Sequence, residues 1–229
     1  MPSIVDEEFG TITVRRSTRA TQVRLRVAPD GSLKASMPLY APLFLLKRLV
    51  KSSRHELRTM LTQAIPSTTY SDGQQIGKSH TLIVRPSNRL AATRKKQQVI
   101  VELPEGYTLS NPSVIKEIRA AVIIALRAEA KSYLPKRLSY IAQQRGFQYQ
   151  KVRFSHASSR WGSCSSTGTI SLNIALMKLP FELIDYVIIH ELAHTIEMNH
   201  SDAFWQLVAA GDPQYRTHRK LLKQETPTI

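Results

Sequence analysis

The sequence has one cysteine, Cys164, in 229 residues. A lone thiol cannot close an internal disulfide, so the fold must rest on its core, and a reducing, cytoplasmic compartment is predicted. Long apolar runs are missing as well: the longest, such as residues 122–126, fall far short of the roughly 20 residues that span a bilayer, which predicts no membrane-spanning helix. Near the N-terminus stand Asp6, Glu7 and Glu8, where a secretion signal would need basic and then apolar residues, so no export signal is read there. Acidic residues are scarce, 17 Asp and Glu against 32 Lys and Arg, for a net charge of +15. The excess is uneven, because residues 1–100 carry 17 of the basic and only 6 of the acidic groups. Such a field favours anionic partners, nucleic acid before membrane surface, and concerns association rather than fold. With 42% hydrophobic and 21% charged residues, the chain is globular and long enough to bury a core, which excludes disorder and fibre.

Hydrophobic periodicity places the elements. In residues 9–37, Ile12 and Val14, then Val23, Leu25 and Val27, alternate with Thr and Arg, and Asp30-Gly31 turns the chain into residues 33–37. A basic antiparallel hairpin or meander is predicted. Pro42 stands near a helix start, and Leu43, Leu46, Leu49, Val50, Leu57, Met60 and Leu61 recur at helical spacing to about Ala64. Residues 80–85 and 97–103 read as strands, with the basic run Arg94-Lys95-Lys96 as a loop between them. Residues 104–112 hold two prolines, a glycine and turn formers, and predict a boundary between a basic β-rich lobe with one helix (1–105) and a second lobe (112–229). In the second lobe Asn111 or Ser113 caps a long helix that Pro135 kinks or breaks and Gly146 closes. A strand at 149–155, a polar loop at 157–168 and a strand at 169–174 follow, and then Pro180 opens a helix with Leu183, Val187, Ile188 and Leu192 facing inward.

That last helix carries His190-Glu191-Leu192-Ala193-His194, the HExxH pattern. Histidines four apart share one helical face, so both imidazoles can reach one ion at the roughly 2.0–2.1 Å of a zinc–nitrogen bond. Glu191 lies about 100° around the helix from His190, able to touch a zinc-activated water without ligating the metal. Zinc lowers the pKa of that water while the carboxylate takes its proton as general base and later returns one to the leaving amine.

A catalytic zinc has three protein ligands and an open position, and His200 is the third candidate. On an unbroken helix His200 would stand about 9 Å beyond His194, so the helix must end between them, with Asn199 suited to a left-handed cap. Glu197, Asp202 and Asp212 are the alternatives, and zinc's preference for imidazole favours His200. The spacing is shared with metzincins, but those have Gly where this chain has Glu197 and need a later Met-turn, and no methionine follows Met198. A glutamate-ligand zincin would have to use Glu225.

The segments Arg160-Trp161-Gly162-Ser163-Cys164, Gly168-Thr169-Ile170-Ser171-Leu172-Asn173, residues 185–194, Asn199-His200-Ser201 and Phe204-Trp205 together resemble the YgjP-like family of zinc metallopeptidases, as do Arg15-Arg16-Ser17, Arg19 and residues 27–31. The resemblance implies an α+β, zincin-like core with an HExxH active-site helix behind the basic β-rich lobe, related to SprT and WLM proteases. It implies one zinc ion on His190, His194 and His200, Glu191 as base, and a peptide or protein substrate.

Other motif residues receive physical roles. Residues 169–173, or the segment before them, offer a strand edge for an extended peptide. Arg160, Tyr215 and His218 are candidate donors to the developing oxyanion. Trp161 and Tyr186 read as packing, and Phe204 and Trp205 as anchors of the returning helix. Cys164 is either a small buried hydrophobe or a fourth ligand closing the metal site. The rival to a metallopeptidase is a nucleic-acid-binding protein with a structural zinc, suggested by Arg15, Arg16, Arg19, Arg24 and Arg26, and the two combine in a protease recruited to nucleic acid by its front lobe.

Overall fold

The computed structural model describes residues 2–27, 32–64 and 69–229, and the fold is α+β. Two compact units divide at Thr68 and Thr69. In the first, β1 (Ser3–Asp6), β2 (Gly10–Ser17), β3 (Arg24–Val27) and β4 (Leu33–Pro38) form one sheet in the order β1-β2-β4-β3. β3 pairs antiparallel with β4 as the alternation predicts, but β2 runs parallel to β4, so the sheet is not a simple meander. The expected turn at Asp30-Gly31 lies outside the described residues. Ile12, Val14, Leu33, Ala35 and Met37 bury one face against Leu46, Val50 and Leu57. The last three sit on two helices rather than one, α1 (Leu43–Ser52) and α2 (Arg54–Ala64), separated at Ser53.

The second unit begins with β5 (Gln75–Ile76), β6 (His80–Pro86), β7 (Ala91–Lys95) and β8 (Gln98–Leu103), ordered β5-β6-β8-β7. Arg94 and Lys95 therefore lie on the edge strand β7 instead of a loop, since a solvated edge tolerates charge, and the turn to β8 passes through Lys96 at φ 54°. Leu82, Val99 and Val101 share one core with Val114, Ile118 and Leu126 of α3 (Pro112–Arg145). That shared core is why the compact units part at residue 68 and not at the proline-rich 104–112.

α3 runs 34 residues and continues through Pro135. A proline inside a helix costs about 3 kcal/mol, and burying a Leu returns about 1.5–3 kcal/mol. Leu134 and Leu138 on either side are fully buried, which holds both halves in line. Gly146 closes the helix at φ 71°, as predicted.

Next come β9 (Lys151–Ser155), β10 (Gly162–Cys164) and β11 (Thr169–Asn173), ordered β10-β11-β9, with β10 inside the segment read as a loop. β11 is bonded on both sides, so it has no open edge for a peptide; β10 does. A 3₁₀ turn (Ile174–Lys178) leads into α4 (Phe181–Ala193), α5 (Asp202–Gly211) and α6 (Tyr215–Leu222). Among the described residues no helix is long and apolar enough to cross a membrane.

Candidate active site

α4 is built to be buried. Pro180 stands at its N-cap, Glu182 in the first turn complements the helix dipole, and Leu183, Ile184, Val187, Ile188 and Leu192 face the core. The helix ends at Ala193, and His194, Thr195, Ile196 and Glu197 leave it through a tight turn with backbone bonds back to residues 190, 192 and 193. The break falls between His194 and His200 as geometry requires. Asn199 is not its left-handed cap: Lys96 has the only positive φ among described non-glycine residues.

Ser201 then restarts the helix, its Oγ accepting from the Phe204 N–H at 3.3 Å. This cap fixes the residue before it, His200, over the other two rings. The His200 centroid lies 5.1 Å from that of His190 and 4.8 Å from that of His194. Phe204, fully buried, is the common floor, with centroids 4.9, 4.4 and 4.7 Å from His190, His194 and His200. Its position four residues after His200 marks it as an anchor; that it underlies all three imidazoles was not legible.

The donor set fits a metal ion. One ligand nitrogen from each of His190, His194 and His200 lies within 4.8 Å of the others, and His190 Nε2 stands 3.3 Å from His200 Nε2. The edge of a tetrahedron with metal–nitrogen bonds of 2.0–2.1 Å is also about 3.3 Å. His194 Nδ1 donates to the Glu197 carbonyl at 3.1 Å, which leaves Nε2 for the cluster. His190 Nδ1 is buried without a hydrogen-bond partner. Burial first, then the neighbouring His194 and His200, pushes His190 down to about 3, and burial also lowers His194. Both shifts favour the neutral ring that ligation requires. Glu197 joins through its carbonyl, and neither its carboxylate nor those of Asp202 and Asp212 belong to the cluster.

Glu191 is 6% exposed, and burial raises its carboxyl to about 8 against the lowering influence of Arg160. A cation held by the three imidazoles would act in the same sense as Arg160 and favour the ionised form that a base requires. It abuts β10, where a β-carbon on Gly162 would come within 2.5 Å of Oε1. Strand β10 is placed in turn by Asn173, which is wholly buried. Its Nδ2 donates to the carbonyls of Ala157 and Arg160 at 2.7 and 2.9 Å, its Oδ1 accepts from Ala175 N, and its backbone N–H bonds Trp161 O. This is the role of an asparagine that the sequence reading left without one.

The remaining candidates are elsewhere engaged. Cys164 is outside the converging ligand atoms and donates to Ser165 O at 3.4 Å. His218 Nδ1 pairs with Asp212 at 2.7 Å, and Tyr215 stacks on Trp205 with its hydroxyl accepting from Arg216.

A buried carboxylate beside three gathered imidazoles on an α+β scaffold is the arrangement of a metallopeptidase. The chain belongs to the YgjP-like family, whose metallopeptidase-domain profile matches residues 21–225. The crystal structure of the metallopeptidase zymogen of Pyrococcus abyssi abylysin is similar at 27% identity, over 39% of this chain and 91% of that one, with a TM-score of 0.37. Comparison with curated proteins gives no match.

Proposed function

We propose that the protein hydrolyses peptide bonds as a zinc-dependent metallopeptidase, with His190, His194 and His200 holding one zinc ion and Glu191 as general base. The convergence of three imidazole nitrogens beside a buried carboxylate carries this reading. Zinc, which an all-imidazole set suits, supplies Lewis acidity and brings the pKa of water toward neutrality. Glu191 is held by Gly162 and by burial where it takes a proton from the attacking water and hands it to the leaving amine. The outer edge of β10, residues 162–164, is free to pair with an extended substrate.

The deciding experiment is Glu191→Gln. The variant keeps about one zinc per chain but loses hydrolysis of an unfolded protein substrate. Cleavage at the wild-type rate would remove Glu191 from the role of base.

A second reading, association with nucleic acid, is favoured by one observation in the first unit. Arg15 and Arg24 both pair with Ser36, and Arg26 pairs with Lys34, so these four cations share the sheet face opposite Ile12 and Val14. Replacing Arg15, Arg24, Arg26 and Lys34 together by Ala lowers affinity for DNA and RNA and flattens its salt dependence by about 0.9 per lost phosphate contact. An unchanged slope would refute it.

A further inference from the structure

A cavity of 170 Å³ adjoins the site, walled by Trp161, Tyr186, Val187 and Leu222 and reaching His190 and Glu191. Resting on the peptidase reading above, we propose that it receives the side chain of the substrate residue beside the scissile bond and selects a single medium-sized aliphatic or phenyl group.

Size comes first. A cavity of about 150 Å³ lined by apolar side chains takes one benzene ring, so this one has room for one Leu, Ile, Met or Phe side chain. The walls are mostly apolar, and Gly162 contributes no side chain to fill the space. A charged side chain would lose its hydration against Trp161, Val187 and Leu222.

Position agrees. Tyr186 and Val187 precede His190 and Glu191 by one helical turn, about 5–6 Å. An extended peptide advances about 3.3 Å per residue, so a chain whose scissile carbonyl stands at His190 and Glu191 brings an adjacent residue to the cavity mouth. One wall comes from outside the motif helix: Leu222, half-buried at the end of α6. That helix is held down where Tyr215 stacks on Trp205 at 5.6 Å and Arg219 lies over the same indole at 4.5 Å. The width of the cavity is thereby set by a residue outside the candidate ligand set.

The test profiles cleavage of a random peptide library by the zinc-loaded protein, Leu222→Phe and Leu222→Ala, with zinc content and circular dichroism as folding controls. Leu, Ile, Met and Phe should exceed Ala about tenfold or more at one position flanking the cleaved bond. Leu222→Phe should shift that preference toward Ala and Val by about tenfold, and Leu222→Ala should raise Trp relative to Leu. Cleavage without preference, or a preference that neither folded variant moves, overturns the proposal. Absence of cleavage by all three proteins removes the peptidase reading, and binding then decides. By calorimetry the Glu191→Gln protein should bind an alanine-based peptide with one central Leu more tightly than its all-Ala counterpart, and equal affinity overturns the assignment of the cavity.

Discussion

Gly162 stands so close to Glu191 that a β-carbon there would lie 2.5 Å from Oε1 and 2.7 Å from Cγ. The only relief is movement of the carboxylate, because Glu191 is buried and β10 is pinned to β11. Gly162→Ala is therefore expected to displace the candidate base. A misplacement near 1 Å lowers turnover about 100-fold. Zinc stoichiometry should stay at the wild-type value, since the three atoms nearest the added carbon all belong to Glu191 and none to a histidine. Equal kcat in wild type and variant would show that the carboxylate has room it does not use.

His200 and Glu197 separate two accounts of the third ligand. His200→Ala removes one of the three converging nitrogens and should weaken zinc binding more than about 100-fold, whereas Glu197→Ala keeps the carbonyl that orients His194 and should change it less than tenfold. Competition with a chelator reads both. The reverse ranking would move the third ligand to the carboxylate.

Asn173 is a stability prediction. Its Nδ2 satisfies two carbonyls, and each buried polar group left unpaired costs about 1–3 kcal/mol. Asn173→Ala should lose about 3 kcal/mol in urea unfolding, and residual activity should fall with it, because the same bonds place β10 beside Glu191. A loss below about 1 kcal/mol would mean that solvent replaces the amide.

What the sequence discloses and what it hides follow from range. HExxH is a statement about neighbours on one helix, and the return of His200 follows from a distance argument, so the histidine cluster is legible from local spacing. The cap is not, since Asn199 reads as the residue that turns the chain and Ser201 restarts the helix instead. Strand alternation likewise exposes Ile12, Val14, Leu33 and Met37 as core. The parallel pairings β2 to β4, β6 to β8 and β9 to β11 join segments with other elements between them, and no local pattern encodes them. Residues 104–112 carry the composition of a linker, yet the strands before them and the helix after them have a common interior. Strand β7 was hidden because its Arg94 and Lys95 look like a loop when only their polarity is read.

Glu129 is the clearest of the hidden features, a carboxylate in the middle of α3 that clamps the turn before β6. Its Oε1 accepts from His80 Nδ1 at 2.6 Å and from Ser79 N and Oγ at 2.8 Å, and its Oε2 accepts from Lys78 N at 2.7 Å. Arg94 Nε donates to His80 Nε2 at 2.8 Å, which places the imidazole proton on Nδ1, facing Glu129. Burial acts to raise the carboxyl, but the hydrogen bonds from His80, Lys78 and Ser79 outweigh it and hold Glu129 below the ordinary 4.5. A carboxyl whose folded pKa is depressed stabilises the fold above its unfolded pKa and loses that contribution as pH falls through the folded value. Glu129→Gln should accordingly cost about 3 kcal/mol at pH 7 and less at pH 3, which lies below the ordinary 4.5, so that the ionised clamp is already losing its contribution there. Urea unfolding of both proteins at the two pH values measures the difference; a gap that is the same at both would show that the clamp owes nothing to the ionised carboxylate.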